Sequence, residues 1–192
     1  MNNMREIMKY IRIMFVFVTS VCILYSCGKT KKEETPIVET DTICEVSDST
    51  VYGVCGEGTA MHTLQLITDL GDTLEYSLID NNDSSVNVQG GLMVGDRMAV
   101  IEKNVSGVKI ASSVINITTL LGKWMSIDKN FEIEEGGIVT SNVKAEMNPW
   151  TSWKILNGRL LLNKDTFLIN SLGADSLFLE NNKGIFVYRR QI

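Results

Sequence analysis

Trp153-Lys154-Ile155-Leu156-Asn157-Gly158-Arg159-Leu160-Leu161-Leu162 reads as two short apolar strands joined by two residues. Asn-Gly is the favoured pair for a tight hairpin, because both central residues of that turn take positive φ and asparagine and glycine tolerate it best. This is the strongest local signal in the chain, and it sets the fold class as β. Downstream, DTFLINSL and SLFLEN flank Ala174-Asp175, and Asn182-Lys183-Gly184 turns into the closing IFVYRR. Upstream, FEIEEGGIVTSNVK folds over Gly136-Gly137, and LLGKWMSI opens the region. Residues 119–192 thus read as a meander of roughly seven short strands.

Residues 43–118 follow the same grammar. VYGVCG, HTLQLIT, TLEYSLI, SSVNV, RMAVIE and VKIASSVINI are separated by Gly-, Asp- and Asn-rich breaks. In TLEYSLI, Leu74, Tyr76 and Leu78 alternate with Glu75 and Ser77, the period of a half-buried strand. No window carries a helical period of useful length. Five or six strands in so short a span predict a small barrel, OB-like, which removes exposed sheet edges. The expected architecture is all-β, with two small β-barrel modules.

Gly122-Lys123-Trp124 resembles the lipocalin G-x-W motif on a first barrel strand. With the SWKILNGRLLL hairpin, the DSLFLE strand and the closing FVYRR, residues 119–192 resemble the short lipocalin-like domains of exported bacterial lipoproteins. The resemblance implies a meander barrel that binds a small apolar ligand. It also implies that Arg189 or Arg190 packs over Trp124, a contact of order ~1 kcal/mol. A full lipocalin is about twice as long. The many apolar side chains of these short strands are therefore expected to fill the lumen, leaving a filled or shallow barrel. Trp150 and Trp153, just after Asn148-Pro149, are the ligand-binding candidates, as an aromatic lip; packing roles in the core or against the first module are the alternative.

The N-terminus supplies the address. Arg5, Lys9 and Arg12 precede an apolar run, Ile13 to Tyr25, that ends in Leu24-Tyr25-Ser26-Cys27. A basic flank, a short apolar core and a small residue before the cysteine fit a secretory signal. The run is short of the ~20 residues of a membrane span. The ending resembles the bacterial lipobox, which implies that Cys27 is acylated and that residues 1–26 are removed as a lipoprotein signal peptide. Residues 27–42 are then a lipidated polar tether, whose 15 residues after the cysteine reach ~50 Å when extended. The expected location is the outer membrane of a Gram-negative bacterium, facing the periplasm or the surface.

After residue 26 the chain holds 15 Lys and Arg against 22 Asp and Glu. Such a balance argues against nucleic acid as a partner. Cys44 and Cys55 remain for an exported compartment, where a disulfide is allowed; two reduced buried thiols are the other reading. His62 is the single histidine, and no third group that would orient a Cys55–His62 dyad is apparent in the sequence. Neither a zinc ligand set nor a calcium loop can be assembled from the spacings, and no cofactor is expected. Glu132, Glu134 and Glu135 read as a solvated hairpin face. The functional expectation is a non-enzymatic, lipid-anchored envelope lipoprotein that binds a small apolar ligand. The alternative is a structural or interaction lipoprotein, or an envelope sensor, with filled barrels and a protein partner.

Overall fold

The computed structural model describes residues 47–80 and 84–191. The signal, Cys27, the tether and Cys44 lie outside the described residues. Six strands make the first sheet: β1 (Thr50–Cys55), β2 (Thr63–Thr68), β3 (Thr73–Ser77), β4 (Asn87–Gln89), β5 (Arg97–Val105) and β6 (Val108–Asn116). Their order is β3-β2-β1-β5-β6-β4, and a parallel pairing at Ser77↔Ile110 brings β6 back to β3. The sheet therefore curls on itself, and its two long edges are not left fully open. Alternation decides which side faces in. Leu64, Leu66, Tyr76, Met98, Val100 and Val114 are fully buried, while Glu75 between Leu74 and Tyr76 is exposed.

A four-residue helix, α1 (Ile117–Leu120), follows β6. The periodicity gave no sign of it, because one turn is too short to show a helical period. Its N-cap is Asn116, whose Oδ1 accepts from the Thr119 N–H at 2.9 Å. The same buried side chain donates through Nδ2 to Asp96 Oδ2 at 2.6 Å and to the Gly91 carbonyl at 3.2 Å. A local capping residue thereby also ties down the loop before β5.

Eight strands follow: β7 (Gly122–Met125), β8 (Asn130–Glu134), β9 (Ile138–Ser141), β10 (Trp153–Leu156), β11 (Arg159–Leu162), β12 (Asp165–Leu172), β13 (Ser176–Asn181) and β14 (Gly184–Arg190). The meander holds one strand more than the expected seven. All neighbours are antiparallel, in the order β10-β11-β12-β13-β14-β7-β8-β9. A bridge at Ile138↔Ser152 links the β9 and β10 ends, so the sheet is a nearly closed barrel. The Asn157-Gly158 turn joins β10 to β11 with φ of 49° and 74°, the double left-handed turn that the pair favours.

Trp124, Phe131, Ile133, Ile155, Leu160, Leu162, Leu177 and Leu179, at 0–2% exposure, fill the interior of this barrel. Ala99 on β5, Ile115 on β6 and Ile117 on α1 join the same cluster. Polar contacts reinforce the apolar join between the sheets. Gln89 on β4 accepts from the Leu172 N–H at 2.9 Å and donates to the Asn170 carbonyl at 3.2 Å. On the opposite flank the Tyr52 hydroxyl donates to the Ile155 carbonyl at 2.7 Å, and the Asn157 N–H donates to Thr50 Oγ1 at 3.0 Å. All fourteen strands accordingly fall in one compact unit.

Candidate functional site

Two features of the eight-stranded barrel carry chemistry, and they lie around β7 and β14. The first is a structural clamp. Trp124 is fully buried on β7, and its Nε1 donates to the Leu120 carbonyl at 2.8 Å. Above the ring, the guanidinium carbon of Arg190 sits 4.2 Å from the centroid. Arg190 also donates to the carbonyls of Leu121 (2.7 Å), Thr119 and Ala174. A planar guanidinium can stack on a ring and satisfy several carbonyls at once, which lysine cannot. These carbonyls belong to the end of α1 and to the β12–β13 turn, so one side chain fastens both segments to β14. Its pKa is lowered by burial, against the nearby Asp175.

Gly122 makes room for the clamp. Its φ is +118°, and a Cβ placed there would lie 2.6 Å from Arg190 Nη1. Glycine is required on both counts. Arg189, the neighbouring candidate, points outward and is exposed.

The second feature is a cleft of about 1330 Å³. It opens because β7 is short. β14 pairs with β7 only at Arg189↔Met125 and Arg190↔Trp124, and the chain then leaves the sheet through Ser126 to Lys129. Beneath the gap between this turn and the rest of β14 lies an aromatic floor made by Trp150, Phe167, Phe186 and Tyr188, of which only Phe186 is part-exposed. Phe131 stands edge-on to both Trp150 and Tyr188 with centroids 5.1 Å apart, and Phe167 meets Trp150 at 5.7 Å. Edge-to-face packing of this kind holds rings in a rigid arrangement.

Polar groups punctuate the cleft. Lys129 Nζ lies 4.2 Å from the Trp150 ring centroid and is paired with Glu146. Burial pushes Glu146 upward, but hydrogen bonds from Lys129 and Ser141 outweigh it and hold the carboxyl below its ordinary value. Tyr188 is 2% exposed, and its hydroxyl makes no hydrogen bond to another described residue. Its pKa is pushed up to about 12 by burial and by the negative Asp128 and Glu146. The group stays a neutral phenol that can donate or accept.

The two tryptophans singled out by sequence do not share a site. Trp150 belongs to the aromatic floor. Trp153 instead donates to the Glu134 carbonyl at 2.7 Å and lines a separate cleft of about 520 Å³ with Tyr52, Arg97 and Glu135. Cys55 is a buried free thiol 3.3 Å from Thr59 Oγ1. Among the described residues no group of three or more His, Cys, Asp or Glu side chains could hold a metal ion. Nor is any described helix long and apolar enough to cross a membrane.

Neither the family models, nor the curated proteins, nor the solved structures contain a match to this chain. Function must be read from its own geometry.

The sequence reading missed Phe167, Phe186 and Tyr188 as cleft residues. The available signal was a mismatch of lengths: IFVYRR is long and alternating, whereas GKWM is cut off by Ser126-Ile127-Asp128-Lys129. A long strand beside a short one leaves part of its edge uncovered.

Proposed function

We propose that this chain is a non-catalytic, lipid-anchored lipoprotein of the Gram-negative outer membrane that binds a small apolar ligand in the β7/β14 cleft. The observation that carries the ligand reading is the aromatic floor of Trp150, Phe167, Phe186 and Tyr188, with a Tyr188 hydroxyl that makes no hydrogen bond to another described residue and is not sealed from solvent. Ligand sites are mostly apolar, with a few polar groups that fix orientation, and this cleft has that composition. The lipocalin-like resemblance is supported by eight antiparallel strands in meander order and by Arg190 stacked on Trp124. The filled interior limits any ligand to the side of the barrel rather than a deep calyx. Anchoring rests on the Leu24-Tyr25-Ser26-Cys27 ending; two or more acyl chains give durable attachment where one is marginal.

Native mass spectrometry and tryptophan fluorescence of the full-length chain in detergent test the ligand reading. The expected result is a bound apolar probe, with Trp150→Phe altering the signal; fluorescence indifferent to every hydrophobic probe would end it. For the anchor, Cys27→Ala should abolish acylation and release the protein from membranes. The closely filled barrel favours a second reading, an interaction lipoprotein or envelope sensor. In that case cleft substitutions leave its envelope complexes on native gels unchanged.

A further inference from the structure

We infer that the cleft takes its apolar ligand as part of an extended peptide, which adds a strand to the free edge of β14 and carries acidic flanking residues. This rests on the reading of the cleft as an apolar site. The backbone supplies the first reason. The Gln191 N–H donates to the Lys123 carbonyl on the β7 side, and the Arg190 N–H donates to the Asp175 carbonyl on the other side. Backbone groups alternate along a strand, so odd-numbered residues of β14 face β7. The N–H and C=O groups of Ile185 and Val187 therefore face the cleft. Over Gly184–Tyr188 β14 has no strand partner on this side among the described residues.

The side chains supply the second. Phe186 and Tyr188 turn inward to the aromatic floor, while Ile185 and Val187 stay 61% and 47% exposed. An incoming strand would find hydrogen-bond partners on β14 and a pocket for alternate side chains, the two components of strand addition. The unpartnered Tyr188 hydroxyl adds a polar contact within the pocket. A bare alkane or sterol uses the aromatic floor but leaves the β14 edge unsatisfied.

Charge selects the occupant. The charged groups lining the cleft are Asp128, Lys129, Asp165, Lys183, Arg189 and Arg190. Lys129 is held by Glu146, and Arg190 by carbonyls. Asp165 accepts from Trp150 Nε1 at 3.4 Å. Lys183 and Arg189 have no ion-pair partner among the described residues, and they bracket the free stretch at its two ends. In a second copy paired antiparallel about Phe186, Lys183 of each chain would stand opposite Arg189 of the other, a like-charge clash. The same bracket attracts a peptide with acidic residues at its ends.

The test uses the full-length chain in detergent with a blocked heptapeptide, acetyl-Glu-Leu-Thr-Leu-Thr-Leu-Glu-amide, whose two glutamates share one face at the six-residue spacing of Lys183 and Arg189, and anilinonaphthalene sulfonate as a hydrophobic probe. The peptide should displace the probe and shift tryptophan emission. Of two versions N-methylated on alternate backbone nitrogens, one should bind about tenfold more weakly and the other nearly as well, since only one set faces β14. Exchanging both glutamates for lysine should weaken binding, and the Lys183→Glu, Arg189→Glu double variant should reverse that preference. If the probe binds but the peptide does not, or both N-methylated versions bind like the parent, the peptide inference fails and the apolar-ligand reading stands. If neither probe nor peptide binds, both fail. A dimer in sedimentation that the peptide cannot disperse would make a second copy the occupant and overturn the proposal.

Discussion

Replacing Arg190 by alanine removes the clamp over Trp124, and the structure indicates how much that should cost. The guanidinium donates to three main-chain carbonyls, of Leu121, Thr119 and Ala174, and stacks 4.2 Å above the indole. Hydrogen bonds to charged groups contribute about 1.5–3 kcal/mol where the partner cannot be rehydrated, and a cation–π contact about 1 kcal/mol. The Ala174 bond is exposed and the other two are half-buried, so water recovers part of the loss. The expected destabilisation is about 3 kcal/mol, a large share of the 5–15 kcal/mol that holds a typical domain folded. At about 2–4 °C per kcal/mol for a domain of this size, Tm should fall by about 6–12 °C. Urea unfolding followed by tryptophan fluorescence measures this directly. Arg190→Lys should recover only part of the loss, because an ammonium keeps the charge but not the planar fork. Arg189→Ala, one residue earlier but outward, should change stability by less than about 0.5 kcal/mol. Equal effects of the Arg189 and Arg190 substitutions would refute the clamp.

Gly122→Ala should destabilise by about 1–3 kcal/mol, since its positive φ is strained for alanine and the new Cβ drives Arg190 off its carbonyls; the double variant with Arg190→Ala should then show less than the sum of the two losses. Trp150→Ala opens the aromatic cluster and should cost about 3–5 kcal/mol by denaturant titration, whereas Trp150→Phe should keep the fold and change probe binding. Tyr188→Phe should leave stability within about 0.5 kcal/mol, because the hydroxyl has no partner to lose, while weakening a ligand that uses it. Tyr188 also predicts a pH window. Its folded pKa is raised to about 12 above an unfolded value near 10, so its contribution is fully present below pH ~10 and is lost as pH rises through its folded value. Burial raises Tyr52 and Tyr76 as well, so ultraviolet titration of tyrosinate absorbance should show several late ionisations, and Tyr188→Phe should remove one of them.

The clamp and the cleft differ in how far the residues announced them. The G-x-W spacing and a terminal Arg pair pointed to the region, and strand alternation explains why Arg190, not Arg189, turns inward with Phe186 and Tyr188. Choosing between them needed the phase of β14, which is set by Tyr188 packing on Phe131. The cleft had no comparable marker. It depends on where β7 stops relative to β14, a register between elements about sixty residues apart. Trp150 and Trp153, three residues apart in sequence, were separated for a similar reason: Trp150 lies in the loop before β10 and swings into the floor, while Trp153 begins β10 and meets Glu134.

What the amino-acid sequence determined by itself is local. Asn157-Gly158, Gly136-Gly137 and Asn182-Lys183-Gly184 place turns, and period-2 alternation places strands, because turn dihedrals and one-sided burial are decided within a few residues. The signal-like N-terminus is local in the same sense. Tertiary structure decided what depends on pairing between distant segments: the parallel return of β6 to β3, the shared core in which Ala99 and Ile115 join the second barrel, and the uncovered edge of β14. Register and closure are properties of two strands together, and neither strand's residues specify them alone.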